Sequence, residues 1–269
     1  SSLPTDGTRN WSSGFLPPRY QGVHFRHKGT PVLYLQPPTA VTDNTQRLRR
    51  ELLTQLNEEH LTQHPRIAPD LEARIASYEM AYRMQTAVTA LADLPKEPTA
   101  TFDLYGDAAK KPGTFTNVAL TARRLVEKGV RFVQVYLNNW DTHGNVAGRL
   151  PSQVKDVDQA LYGLITDLKR KGMLEKTLII WGGEFGRTIY SQGGLTKANY
   201  GRDHHPRCFT MWMSGGGIKG GVIHGETDDY SYNITKDPVH IRDFHATILQ
   251  LMGFDHTRFS YRYQGLDQK

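Results

Sequence analysis

The sequence predicts an α/β fold, a mostly parallel sheet with flanking helices into which a helical hairpin is inserted. Over residues 114–269, short apolar runs alternate with amphipathic helical patterns. This alternation is typical of parallel sheets, in which helices connect successive strands. Before it, two long helical patterns separated by His64-Pro65 predict an antiparallel helical hairpin over residues 43–94.

The N-terminal part is predicted to be mainly extended. Residues 1–40 are rich in proline, glycine, serine and aromatic residues, and one short strand is predicted at 31–35. The first arm of the hairpin begins at Thr42-Asp43, a pair suited to capping a helix. The second arm covers about residues 68–92.

After residue 114, three apolar runs are predicted strands and three amphipathic patterns are predicted helices. The strands lie at residues 132–137, 177–181 and 208–213. The helices have apolar residues at helical spacing, over residues 118–126, 154–168 and 241–251. We therefore expect residues 114–269 to form the α/β core, with 1–269 as one domain.

Composition excludes several classes of protein. Charged residues make up 22% of the 269 residues, an ordinary value for a globular chain. The net charge of +6 is mildly basic, but the basic residues are scattered and no recognition motif accompanies them, so we expect no nucleic-acid partner. No apolar run approaches the ~20 residues of a membrane-spanning helix. The single cysteine, Cys208, excludes a disulfide within the chain.

Three polar clusters stand at or near the ends of predicted strands, where ligands bind in open α/β sheets. They are residues 138–145, 182–187 and 201–206. Carboxylates and imidazoles are suited to a divalent cation such as Zn, Mn, Mg or Ca. The candidate ligands are Asp141, His143, Glu184, Asp203, His204 and His205.

Each cluster also has a simpler interpretation. Asp141 can be a hydrogen-bonded turn residue, or it can orient the imidazole of His143 instead of binding an ion. Glu184 can pair with Arg187, and His204-His205 can be an exposed pair on the surface. The coincidence of three such clusters at strand ends favours a metal site.

Five stretches resemble the DUF1501 proteins, a bacterial family placed in the alkaline phosphatase-like, or sulfatase-like, superfamily. The stretches are residues 10–25, 140–145 (WDTHGN), 178–188 (LIIWGGEFGRT), 201–206 (GRDHHP) and 238–265. The resemblance implies an alkaline phosphatase-like α/β fold, a hydrolase class, and export from the cytoplasm to the periplasm or beyond.

The resemblance also shows departures from the superfamily pattern. Glu184 takes the place of a metal aspartate, and Phe185 takes the place of its paired histidine. The superfamily's nucleophile and first metal aspartate have no counterpart in this sequence, so we expect the chain to be the C-terminal portion of a longer protein whose upstream segment supplies them.

The sequence thus predicts a metal-dependent hydrolase of phosphate or sulfate esters, acting on a small-molecule or polysaccharide anionic ester. Arg187 and Arg202 are available to pair with the anionic group. The alternative is a non-catalytic exported protein that keeps the fold in order to bind a polysaccharide or a partner protein.

Overall fold

The computed structural model describes residues 7–17, 20–33, 41–64, 75, 88, 91–192 and 194–268. The chain divides into two compact units, Ser1–Glu97 and Pro98–Lys269. Among the described residues, no helix is both long enough and apolar enough to cross a membrane.

The first unit contains the long helix α1, Asp43–Gln63, preceded by a short 3-10 helix at Gly7–Trp11. Thr42 caps α1 because its hydroxyl accepts a hydrogen bond from the Thr45 amide at 3.2 Å. This confirms the predicted start of the first arm of the hairpin. Most of the predicted second arm lies outside the described residues.

The second unit has four described α-helices. They are α2 (Thr99–Tyr105), α3 (Phe115–Glu127), α4 (Val146–Arg170) and α5 (Ile241–Leu251). Thr114 caps α3 through the Asn117 amide, and the His240 ring caps α5 through the Arg242 amide. The last three helices match the helical patterns of the sequence, which are thereby confirmed.

The core of the second unit lies among α2, α3 and α4. Tyr105, Leu120 and Leu168 are at most 1% exposed. Gly163 allows the Tyr105 ring to approach α4, since a Cβ at this position would lie 2.8 Å from the ring. The buried Arg123 of α3 pairs with Asp167 of α4 through Nε at 2.8 Å.

The predicted parallel sheet is wrong. The described strands are β1 Ile179–Trp181, β2 Gly186–Arg187, β3 His204–His205, β4 Trp212–Ser214, β5 Glu226–Thr227, β6 Ile234–Lys236, β7 Tyr261–Tyr263 and β8 Leu266–Gln268. They form four two-stranded antiparallel ladders, in which β1 pairs with β4, β2 with β3, β5 with β6, and β7 with β8. The structure therefore contradicts an alkaline phosphatase-like fold, although it mixes helices with strands.

The reason lies in the connection between β1 and β4. A parallel pair needs a crossover, usually a helix, to bring the chain back to the same edge. The described residues between 182 and 211 contain the ladder of β2 and β3 and no helix. Strand β4 returns antiparallel to β1, with Ile179 opposite Ser214 and Trp181 opposite Trp212.

The described residues of two other predicted strands also differ from the prediction. Residues 132–137 form no ladder, and Phe132 is 70% exposed. Residues 31–33 form bends and a turn, and the rest of the predicted 31–35 strand lies outside the described residues. An apolar run alone is an ambiguous signal for a strand, because it does not indicate which segment the strand would pair with.

Candidate metal centre

The site is built where the loop after residue 137 meets the segment that leads into β3. Two backbone hydrogen bonds join these segments: the Arg202 amide donates to the Thr142 carbonyl at 3.0 Å, and the Val146 amide donates to the Tyr200 carbonyl at 2.9 Å. Asn139 and Asn145 adopt left-handed backbone conformations, with φ of 77° and 49°, and so turn the loop on either side of Asp141.

Gly201 makes this close approach possible. A Cβ at Gly201 would lie 2.0 Å from the carbonyl carbon of His143, and one at Gly186 would lie 1.9 Å from the carbonyl oxygen of Cys208. No side chain fits at either position, because backbone atoms of another segment occupy the space. The two glycines therefore let the three predicted clusters converge.

Asp141, His143 and His204 form a compact set of three possible ligands. Asp141 Oδ1 lies 2.8 Å from His143 Nε2 and 3.0 Å from His204 Nε2, and the two nitrogens are 3.2 Å apart. Among the described residues, this is the one group of three or more acidic, histidine or cysteine side chains whose ligand atoms all lie within 4.8 Å of one another.

Arg187 completes the contacts of Asp141 from β2. Its Nη1 donates to Asp141 Oδ1 at 2.7 Å, and its Nη2 donates to Glu184 Oε1 at 3.2 Å. Glu184 is therefore linked to the site through Arg187. The simpler interpretation of Glu184, an ion pair with Arg187, matches its observed contact.

The same contacts keep Asp141 ionised. They lower the pKa of Asp141 to about 2, and the hydrogen bond from His204 is the largest cause. Burial acts in the opposite direction, whereas the hydrogen bond and charge of Arg187 and the charge of His143 lower the pKa further. Asp141 is thus deprotonated over the whole physiological pH range, as a ligand of a cation has to be.

Phe185 lies beside the site, and the three candidate ligands are partly exposed to solvent. The Phe185 ring lies edge-on to His204, with centroids 5.1 Å apart. Asp141 and His204 are 60% and 44% exposed, and His143 is 29% exposed. His143 Nδ1 is buried and has no hydrogen-bond partner in the described part of the chain. The site is open to solvent on the side of Asp141 and His204.

Three predicted site residues point elsewhere. The Asp203 carboxylate accepts the amide of the next residue, His204, at 2.7 Å. Arg202 donates to the Ile189 carbonyl and faces the Tyr200 ring. His205 is 6% exposed, and its Nε2 meets the Tyr232 carbonyl oxygen at 2.6 Å.

Thr188 is a supporting residue that the sequence did not indicate. It is 2% exposed, its hydroxyl donates to the Tyr190 carbonyl at 2.7 Å, and the same oxygen accepts the Asp203 amide at 3.1 Å. It thereby joins the end of β2 to the residue before His204. A lone threonine after a charged residue carries no motif, so its role becomes visible only in the fold.

Comparisons with known proteins place the chain at the level of a family. No solved structure matches it. A family model described as "Protein of unknown function (DUF1501)" matches residues 1–269. The chain belongs to the DUF1501 family.

Proposed function

We propose that the protein is a metal-dependent hydrolase of phosphate or sulfate esters, with Asp141, His143 and His204 as the ligands of a divalent cation. The observation that carries the proposal is the convergence of one carboxylate oxygen and two imidazole nitrogens from segments about 60 positions apart. The ester specificity rests on the resemblance of the three loops to alkaline phosphatases and sulfatases, as does export from the cytoplasm.

The geometry fits a small cation. Ligand atoms of a tetrahedral ion with bonds of about 2.0–2.1 Å lie roughly 3.3 Å apart. The three separations of 2.8, 3.0 and 3.2 Å therefore need to grow by only a few tenths of an ångström. Asp141 Oδ1 also faces three nitrogens, those of His143, His204 and Arg187. This one oxygen therefore contacts both proposed imidazole ligands and the neighbouring arginine.

A bound divalent cation would supply positive charge that polarises the ester and stabilises negative charge as it develops. Asp141 contributes an oxygen that is already ionised, so the carboxyl group itself loses no proton on binding. Arg187 offers a planar fork suited to two oxygens of a phosphate or sulfate group. Its contact with Asp141 holds the guanidinium beside the ligand atoms.

The proposal assigns the metal ligands and a group that pairs with the anion, and it names no nucleophile. The test uses the full natural protein. We expect hydrolysis of an aryl phosphate or an aryl sulfate, loss of activity on chelation, and recovery when a divalent metal is added back.

The matched variants are Asp141→Ala and Asp156→Ala. Asp141→Ala removes the central oxygen and is expected to abolish both metal binding and turnover, whereas Asp156 is an exposed residue of α4 and serves as the control. If the wild-type protein contains and binds no Zn, Mn, Mg or Ca, and chelation leaves its stability unchanged, the proposal is rejected.

Two contacts favour a second candidate, a non-catalytic exported protein that binds a polysaccharide or a partner protein. Glu184 is paired with Arg187, and Phe185 lies beside His204 where the superfamily has a further metal histidine. This candidate predicts metal binding by the full-length protein with no turnover of any aryl ester. Turnover that Asp141→Ala abolishes would reject it.

A further inference from the structure

His205 follows His204 directly, but the two side chains have opposite surroundings. Successive side chains of a strand point to opposite faces. In β3, His204 is exposed and meets Asp141 at 3.0 Å, whereas His205 is 6% exposed and meets the Tyr232 carbonyl oxygen at 2.6 Å. The two histidines, which look equivalent in the sequence, therefore have different tasks.

The contact with Tyr232 determines the chemistry of His205. A carbonyl oxygen only accepts hydrogen bonds, so Nε2 of His205 donates to it and is committed to that contact. The imidazole also stacks on the Tyr232 ring, with centroids 4.5 Å apart and an angle of 13° between the planes. Both the position and the tautomer of the ring are thus set from the side remote from Asp141.

This anchor matters because the β2–β3 ladder is short. Each strand has two residues, with Gly186 opposite His205 and Arg187 opposite His204. An isolated two-stranded ladder is only marginally stable. A shift of one residue would exchange the two faces of β3 and remove His204 from Asp141.

Tyr232 is itself held in place by Asp228. The Asp228 carboxylate accepts the Tyr232 amide at 2.8 Å and the Asn233 amide at 3.0 Å, and it also accepts the Asn233 side chain at 2.9 Å. These bonds close the turn between β5 and β6. A continuous chain of contacts therefore leads from Asp228 through Tyr232 and His205 to the strand that carries His204.

We infer that His205 is a positioning residue of the proposed metal site, which directs His204 toward Asp141 from the opposite face of β3. The inference rests on the proposed function, because it assigns His204, and not His205, as the ligand. It predicts that the contacts of His205 with Tyr232 influence the affinity for the cation, although His205 does not bind the cation itself.

The test measures the affinity for Zn²⁺ by competition with a chromophoric chelator, and the coordination geometry from the visible spectrum of the Co²⁺ form. His205→Phe keeps the stacking but loses the donor, and we expect Zn²⁺ binding to weaken by ~10-fold or more, as when partners of metal ligands are removed. His205→Gln has an amide that can donate to the same carbonyl, and we expect it to retain most of the affinity.

Two further variants support the assignment. His204→Ala removes the ligand, and we expect a larger loss than in any His205 variant, together with a changed Co²⁺ spectrum. Asp228→Ala removes the hydrogen bonds that hold Tyr232, and we expect it to weaken Zn²⁺ binding as His205→Phe does. It replaces His205→Phe in the test if that variant does not fold. All affinities are measured well below the unfolding temperature of the metal-free protein. At that temperature a loss of global stability alone would not change the affinity.

The outcomes separate this inference from the proposed function. No binding of Zn²⁺ or Co²⁺ by the wild-type protein overturns both. Wild-type affinity in His205→Phe, or in Asp228→Ala where His205→Phe does not fold, overturns only the positioning role. A loss in His205→Gln as large as that in His204→Ala would make His205 a ligand, which also overturns the inference.

Discussion

The Nε2 atoms of His143 and His204 lie 3.2 Å apart although 61 positions separate the two residues in the chain. Both nitrogens also face Asp141 Oδ1, so three potential ligand atoms surround one small volume. Two imidazole nitrogens this close to one carboxylate oxygen are arranged as they would be around a cation.

Replacement of either histidine should weaken metal binding. His143→Ala and His204→Ala each remove one of three ligands, and we expect the affinity for Zn²⁺ to fall by at least ~10–100-fold, since partners of ligands alone contribute that much. His224→Ala is the control, because His224 is exposed and lies outside the cluster. Equal Zn²⁺ affinity in all three variants would contradict the assignment of the ligands.

Gly201→Ala should disrupt the site without touching a ligand. Its Cβ would lie 2.0 Å from the His143 carbonyl carbon, so the two loops must separate. We expect destabilisation of at least about 1–3 kcal/mol, the usual cost of overpacking, and weaker Zn²⁺ binding. Gly194→Ala is the control, because a Cβ there meets nothing within 4 Å. Thermal unfolding and Zn²⁺ titration of both variants would show whether the loops need this contact.

Arg187→Ala should have opposite effects on cation and substrate. The guanidinium lies 2.7 Å from Asp141 Oδ1 and competes with a cation for that oxygen, so its removal should strengthen Zn²⁺ binding. The same change removes the group proposed to orient the anionic ester, so KM should rise. Arg187→Lys keeps the charge but loses the planar fork, and we expect a raised KM with nearly unchanged metal affinity. A weaker affinity for Zn²⁺ in Arg187→Ala would contradict the competition.

Asp167→Ala should destabilise the helical core. Arg123 and Asp167 are 1% and 9% exposed, and removal of the carboxylate leaves a buried guanidinium with a lost partner. The expected cost is about 3–5 kcal/mol in the free energy of unfolding, measured with urea. Asp107→Ala, which breaks the exposed pair with Lys110, is the control and should leave the unfolding midpoint unchanged.

Acid should reduce the contribution of Asp228 to stability. Hydrogen bonds from the Tyr232 backbone, followed by those from Asn233, hold the pKa of Asp228 below its ordinary value of 3.8. The folded pKa is the lower one, so this stabilisation is complete above pH 3.8 and is lost as the pH falls through the folded pKa. We expect Asp228→Asn to unfold at a lower temperature than the wild type at pH 7, with the difference shrinking toward pH 2. A constant difference at all pH values would contradict this.

The local sequence was sufficient to predict α1, α3, α4 and α5, but not the short helix α2. The apolar periodicities over residues 118–126, 154–168 and 241–251 appear as α3, α4 and α5, because a helix is held by contacts between near neighbours in the chain. The loops that carry Asp141, Arg187 and His204 were also identified, since glycines and polar residues interrupt apolar runs there. The prediction of the sheet was wrong, because strands pair with distant segments and no local pattern indicates which segments these are.

The amino-acid sequence by itself determined where the longer helices form, where loops interrupt the apolar runs, and which polar groups those loops contain. Only the tertiary structure decided which of these groups meet. It paired β1 with β4 in the antiparallel direction, and it turned His204 toward Asp141 and His205 toward Tyr232. The physical reason is that strand pairing depends on backbone hydrogen bonds between remote segments, and the alternation of side chains along a strand then gives adjacent histidines opposite surroundings.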